Sequence, residues 1–157
     1  MDVTASLEVA MGHRLLDYVG KCASPHGHNY RISVTLTGKL DNRGMVVDFK
    51  DVRSALKEVL EPFDHSMVLR WDDPLVSSLR EDPTARLVLL SANPTAENLA
   101  RLLFSLVADT YPLSVAAVHV QETEGGAAGC DENHGDIEIT EYVLPDTQCA
   151  RGRVVAP

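Results

Sequence analysis

Two short runs of strict alternation constrain this chain more than anything else in it. Residues Val3, Ala5, Leu7, Val9 and Met11 are apolar, while Thr4, Ser6 and Glu8 between them are polar. Tyr30, Ile32, Val34 and Leu36 alternate in the same way with Arg31, Ser33, Thr35 and Thr37, and Gly38 ends that run. A period of two sends successive side chains to opposite faces, so each run reads as a strand with one face in a core. Continuing the odd face of the first run past Met11 reaches His13. Following the even face of the second run backwards reaches His28 and then His26. All three histidines therefore fall on the core side, at the end of one strand and the start of the next. Paired as an antiparallel hairpin, those two ends are neighbours.

Three converging imidazoles suit a zinc ion with three protein ligands and one open position, the arrangement of catalytic zinc. The blander reading, polar residues satisfied by hydrogen bonds at a strand entrance, suits a lone histidine better than three in phase. Gly27, between two of the candidate ligands, is expected to let the backbone bend around the metal. Cys22 lies four residues before His26. It is a fourth ligand that would close the site, a thiol beside the metal available for proton transfer, or a small buried hydrophobe. Asp64-His65 is a candidate proton relay or a turn cap. Glu122 has the parity of Val118 and Val120, so its carboxylate either stands on the core face as a clamp for paired N–H donors or is a strand-end charge. His119, of opposite parity, and His134, in a loop, read as surface residues.

The remaining elements follow from the change of period. Val52, Ala55, Leu56, Val59 and Leu60 recur at helical spacing after a candidate cap at Asp48, and Pro62 lies beyond. A second helix is expected from about residue 95 to 109, capped by Asn93 or Thr95. Residues 71–90 read as a loop with a short apolar segment at 87–90. Strands are expected over 115–121 and 137–143, joined by a flexible glycine-rich connection at 125–129. The order strand, strand, helix, helix, strand, strand gives an α+β fold, a four-stranded antiparallel sheet with two helices on one face. One domain is expected over 1–145. Residues 146–157 show no periodicity and are expected to be a disordered tail.

Composition excludes several classes of function. With 14 Lys plus Arg against 23 Asp plus Glu, a net charge of -9 argues against a broad nucleic-acid footprint. No apolar run is long enough for a membrane span. Three cysteines at wide spacing, with no basic and apolar leader before them, lead us to expect a reduced, cytoplasmic chain without a disulfide framework.

Together these residues form a recognisable set. Cys22-x3-His26-Gly27-His28-Asn29-Tyr30, preceded by Gly12-His13-Arg14-Leu15, resembles the 6-pyruvoyltetrahydropterin synthase and 6-carboxytetrahydropterin synthase superfamily. The resemblance continues through Gly44-Met45-Val46-Val47-Asp48-Phe49, Asp64-His65, Pro94-Thr95-Ala96-Glu97-Asn98 and Gln121-Glu122-Thr123, from about residue 5 to 143. It implies a tunnelling fold of ββααββ subunits, assembled as a homohexamer of two trimers. It further implies zinc on His13, His26 and His28, and a proton-transfer triad of Cys22 with Asp64 and His65 from a neighbouring subunit. Glu122 and Thr123 would hold the pterin ring.

The spacing of Cys22 to the His-Gly-His pair is similar to that of the bacterial carboxytetrahydropterin synthases. The implied reaction converts 7,8-dihydroneopterin triphosphate to 6-carboxy-5,6,7,8-tetrahydropterin, releasing acetaldehyde and triphosphate, in queuosine or other 7-deazapurine biosynthesis. The alternatives are the pyruvoyl-forming elimination and a non-catalytic pterin- or zinc-binding module. Departures from the family pattern are a longer segment at 124–136, with Cys130 and His134, and an extension after Val143. An acidic chain that takes a triphosphate needs local cations, and Arg14, Lys21 and Arg70 are the candidates.

Overall fold

The computed structural model describes residues 1–145. Its elements in chain order are β1 (Asp2–His13), β2 (His26–Thr37), α1 (Phe49–Leu60), β3 (Ser66–Arg70), α2 (Leu75–Arg80), β4 (Leu87–Leu90), α3 (Ala96–Thr110), β5 (Ser114–Thr123), β6 (Gly126–Cys130) and β7 (Ile139–Val143). The tail expected at 146–157 lies outside the described residues.

The two alternating runs pair antiparallel over their full length, with Val9 opposite Tyr30, Met11 opposite His28 and His13 opposite His26. Their apolar faces, with Val118 and Val120 of β5, form the main core under α1 and α3. Helix α1 buries Val52, Leu56 and Leu60, and Asp48 caps it by accepting the Lys50 N–H at 2.8 Å. Helix α3 buries six residues including Leu99 and Leu103, and Thr95, one of the two expected caps, accepts from the Asn98 N–H at 3.3 Å.

The sheet is wider than the four antiparallel strands expected. It has seven strands in the order β6-β5-β2-β1-β3-β4-β7, and β3 pairs parallel with both β1 and β4. The extra strands arise in two places. Segment 63–90 contributes β3 and β4, whose side chains are covered on both faces. Val68, Val88 and Leu90 join the main core, while Leu69, Leu87 and Leu89 pack with Val76 of α2 in a second, smaller one. Strands buried on both faces read as continuous apolar runs without alternation, so period counting does not find them. Helix α2 therefore adds a third helix, on the opposite side of the sheet from α1 and α3.

The second place is the glycine-rich stretch. Expected as a flexible connection, it forms edge strand β6 after a two-residue turn at 124–125, paired antiparallel with β5. Backbone pairing makes this strand, and side chains contribute little. A Cβ at Gly129 would lie 2.7 Å from the exposed His119 ring across the ladder, so a larger residue there would displace that ring. The last strand, expected at 137–143, spans Ile139–Val143 and pairs antiparallel with β4 at the far edge of the sheet.

The second core makes a checkable claim. Leu69→Ala, at a fully buried position, is expected to cost about 2–5 kcal/mol in urea unfolding.

Candidate metal centre

The register of the hairpin delivers the three histidines to one point. His13 Nε2 lies 3.2 Å from His26 Nε2, and the ring centroids of the three residues stand 4.5, 5.0 and 5.4 Å apart. Gly27 sits opposite Gly12 in the ladder, and a Cβ on it would come 3.1 Å from the Met11 carbonyl oxygen. Its role is therefore close strand approach, where a bend around a metal was expected.

Backbone carbonyls fix the tautomers. The Pro94 carbonyl accepts from His13 Nδ1 at 2.8 Å, and the Ser24 carbonyl accepts from His26 Nδ1 at 2.8 Å. A carbonyl cannot donate, so each Nδ1 carries the proton and each Nε2 turns a lone pair into the site. Two such lone pairs 3.2 Å apart repel unless a proton or a cation stands between them. Burial is the main influence on His13 and holds its pKa below the ordinary histidine value; the Pro94 hydrogen bond and the Glu122 charge oppose it. A neutral ring is the form that ligates a metal.

Glu122 completes the cluster. Its Oε1 lies 3.2 Å from His28 Nε2 and 3.9 Å from His13 Nε2. The His28 contact is within ion-pair range but lacks hydrogen-bond geometry, so this buried nitrogen has no hydrogen-bond partner among the described residues. Ligand atoms of His13, His26, His28 and Glu122 all lie within 4.8 Å of one another. Tetrahedral ligands at zinc-like bond lengths stand about 3.3 Å apart. The spacing, the lone pairs and the orphaned nitrogen together fit a divalent cation, so the cluster could hold a metal ion.

Beside it runs a cleft of about 400 Å³, lined by His13, Cys22, Thr95, Glu122 and Thr123 among others. Cys22 is half-buried, sits on a short 3-10 turn (Lys21–Ala23) and lines this cleft without belonging to the ligand set.

A family model described as 6-pyruvoyl tetrahydropterin synthase matches residues 2–133. The chain belongs to that family. A relative from Halobacterium salinarum, named probable 6-carboxy-5,6,7,8-tetrahydropterin synthase, is 40% identical over 129 residues, covering 81% of this chain and 83% of the relative. The 6-carboxy-5,6,7,8-tetrahydropterin synthase of Haemophilus influenzae is 31% identical over 121 residues, covering 72% and 86%. Among solved structures, the 6-pyruvoyl tetrahydropterin synthase of Caenorhabditis elegans superposes with a TM-score of 0.65 at 22% identity, over 84% of this chain and 95% of that one. An uncharacterized protein of Wolinella succinogenes gives 0.72 at 20% identity, over 84% and 98%. These two show the fold. The family and the named relatives make this chain an enzyme of the pterin synthase type.

The other family-matched residues do not all meet in one place. Asp64 and His65 pair with each other, Asp64 Oδ1 to His65 Nδ1 at 3.0 Å, both largely exposed. They line a different cavity, with Lys57, Glu61 and Arg86, and take no part in the cleft of Cys22. His65 has φ +58, a left-handed conformation that is uncommon for a non-glycine residue and tends to mark functional positions.

Two of the three cations expected for the triphosphate are committed elsewhere. Arg14 pairs with the buried Asp73 through two nitrogens, and Arg70 bonds Asp72 and Asp17, whose carboxylates lie within reach of it along the chain or across the loop. Lys21 alone of the three has no ion pair among the described residues. His119 and His134 are exposed, as expected.

Two residues with no chemistry assigned from the sequence lie against the cluster. Tyr30 is fully buried with its ring edge-on to His13 and His28, at centroid distances of 5.7 and 5.5 Å. Pro94 supplies the carbonyl under His13. Tyr30 is hidden because a strand pattern counts it as an apolar residue, and Pro94 because its contribution is backbone.

Metal binding gives a direct test of the cluster. Zinc at about 100 times its Kd is expected to stabilise the protein by about 2.7 kcal/mol in thermal or urea unfolding, and His28→Ala to abolish the increment.

Proposed function

We propose that this protein is a zinc-dependent 6-carboxytetrahydropterin synthase, converting 7,8-dihydroneopterin triphosphate to 6-carboxy-5,6,7,8-tetrahydropterin with release of acetaldehyde and triphosphate. The observation that carries this is the His13/His26/His28 cluster opening on a cleft that also holds Cys22, Glu122 and Thr123. The names of the relatives at 31–40% identity support the choice of product.

His13, His26 and His28 would hold the metal, their Nε2 lone pairs directed by the carbonyls behind them. When bound, zinc supplies Lewis-acid polarisation of the substrate's side-chain oxygens. Glu122 and Thr123 orient the pterin. A carboxylate suits the paired N–H edge of that ring, and holding the ring fixes the side chain relative to the histidines. Cys22, in the cleft but outside the ligand set, moves protons at the pterin side chain, the role for which a thiol near a cation is suited.

Asp64 and His65 are the remaining partners, and neither lines the Cys22 cleft of its own chain. That supports an assembly in which another copy contributes them, a homohexamer built as two trimers. The described residues contain no helix long and apolar enough to cross a membrane. Cys22 and Cys130 are free thiols, which suits a cytoplasmic reaction in queuosine or another 7-deazapurine route.

A second reading is the pyruvoyl-forming elimination, favoured by the name of the matched family model. Product analysis of zinc-loaded protein by mass spectrometry separates the two. Acetaldehyde with the carboxy product is expected, and a pyruvoyl product without acetaldehyde would establish the second reading. Cys22→Ala is expected to lower kcat by about 10²- to 10⁴-fold.

Shared sites have their own signature. Inactive Cys22→Ala and His65→Ala proteins, mixed after dissociation and reassembled, are expected to regain part of the activity. No recovery from mixed assemblies would show that each chain works alone.

A further inference from the structure

The motif around Pro94 does more than start a helix. Asn93 bonds both groups of one backbone residue in the loop after β1: the Leu16 N–H donates to Asn93 Oδ1 at 2.9 Å, and Asn93 Nδ2 donates to the Leu16 carbonyl at 2.8 Å. A side-chain amide used this way replaces the pairing a neighbouring strand would give. Asn93 is itself held, its carbonyl accepting from the Thr95 N–H and from Asn98 Nδ2, each at 2.8 Å. Those two residues form the capped start of α3, whose buried face anchors it in the core.

On the other side, Leu15, next to Leu16, donates its N–H to the Cys22 carbonyl at 2.8 Å. A continuous path of hydrogen bonds thus joins the start of α3 to the turn bearing Cys22. The next residue along, Pro94, is the one whose carbonyl orients His13. Two further ties hold the same loop, Arg14 to Asp73 and Asp17 to Arg70, but both run to the β3–α2 side and neither touches the cleft wall.

We infer that Asn93 is a positioning residue: it clasps the 14–22 loop so that the Cys22 thiol is presented to the cleft in fixed relation to His13. Asn93 touches neither the ligand set nor Cys22 and acts through Leu16. Its removal should free the thiol while leaving the ligands in place, since the His13 contact is made by Pro94 backbone.

The test is site-resolved alkylation by iodoacetamide of the zinc-loaded full-length protein, read by mass spectrometry, in Asn93→Ala and Asn93→Asp. The aspartate keeps the acceptor for the Leu16 N–H but sets an oxygen against the Leu16 carbonyl. Both variants are expected to speed Cys22 alkylation about fivefold or more, because a loop released from its tie opens more often. Cys130, 6% exposed, stays protected and reports any global loosening. Zinc affinity by chelator competition should stay within about threefold, and kcat should fall about 10- to 100-fold with little change in KM, the effect of a misplaced group.

A Cys22 rate within about twofold of the native protein would overturn the inference, since local opening would then be unchanged. Alkylation of Cys130 rising in step with Cys22 would also overturn it, making Asn93 a residue of general stability. So would a matching loss of zinc affinity, which would put its effect on the ligands. The turnover arm rests on the pterin synthase reading, and the alkylation arm does not. A native protein that turns over no pterin would sink the function while leaving the alkylation result decisive for Asn93.

Discussion

Because side chains alternate across a strand, sliding β2 by one residue against β1 would send His26 and His28 to the polar face of the sheet. Tyr30, Ile32, Val34 and Leu36 would leave the core with them. Burial of each such side chain is worth about 1.5–3 kcal/mol. That sum far exceeds any preference of the histidines for separate, solvated positions. The same register that fills the core therefore holds three imidazoles, two of them with lone pairs facing, at a spacing they would not choose unaided. Core packing supplies the force that keeps an electrostatically awkward cluster assembled, and a cation relieves the awkwardness.

The polar side of this arrangement is organised from one direction. The start of α3 reaches the site twice, through the Pro94 carbonyl under His13 and through the Asn93 amide on the loop. Its rigidity comes from six buried side chains and from a cap, Thr95, that itself lines the cleft. The opposite wall, β5 with Glu122, is tied to the same sheet by pairing with β2. The geometry of the cluster is thus referred to α3 and β5, which share the main core, and neither carries the exposed Asp64 and His65.

Much of this was legible in the residues. Alternation gave β1 and β2 with the faces of all three histidines, and helical spacing gave α1 and α3 with the Asp48 and Thr95 caps. Glu122 was legible only as a choice between a core-facing carboxylate and a strand-end charge, and parity alone could not bring it to 3.2 Å from His28. What stayed hidden has physical reasons. Strands β3 and β4 are covered on both faces, so Leu87–Leu90 shows no period. Strand β6 is glycine and alanine apart from its last residue, so it has little side-chain pattern to read. Arg14 and Arg70 looked like free cations because the carboxylates that neutralise them come from turns whose folding no local pattern describes. Asn93 could be read as a helix cap, and its actual partner, Leu16, is distant in the chain and offers only backbone.

The connectivity of the site also sets an order in time. Its three histidines lie within one hairpin near the start of this sequence, while the carboxylate that joins them arrives with β5. At ordinary rates of synthesis, Glu122 follows His28 by roughly 5–20 s. For that interval a growing chain displays the three nitrogen donors without the wall that later confines them. A metal bound in that interval would be drawn from whichever divalent ion is most available, so its identity would depend on the free metal pool as well as on the finished site's selectivity.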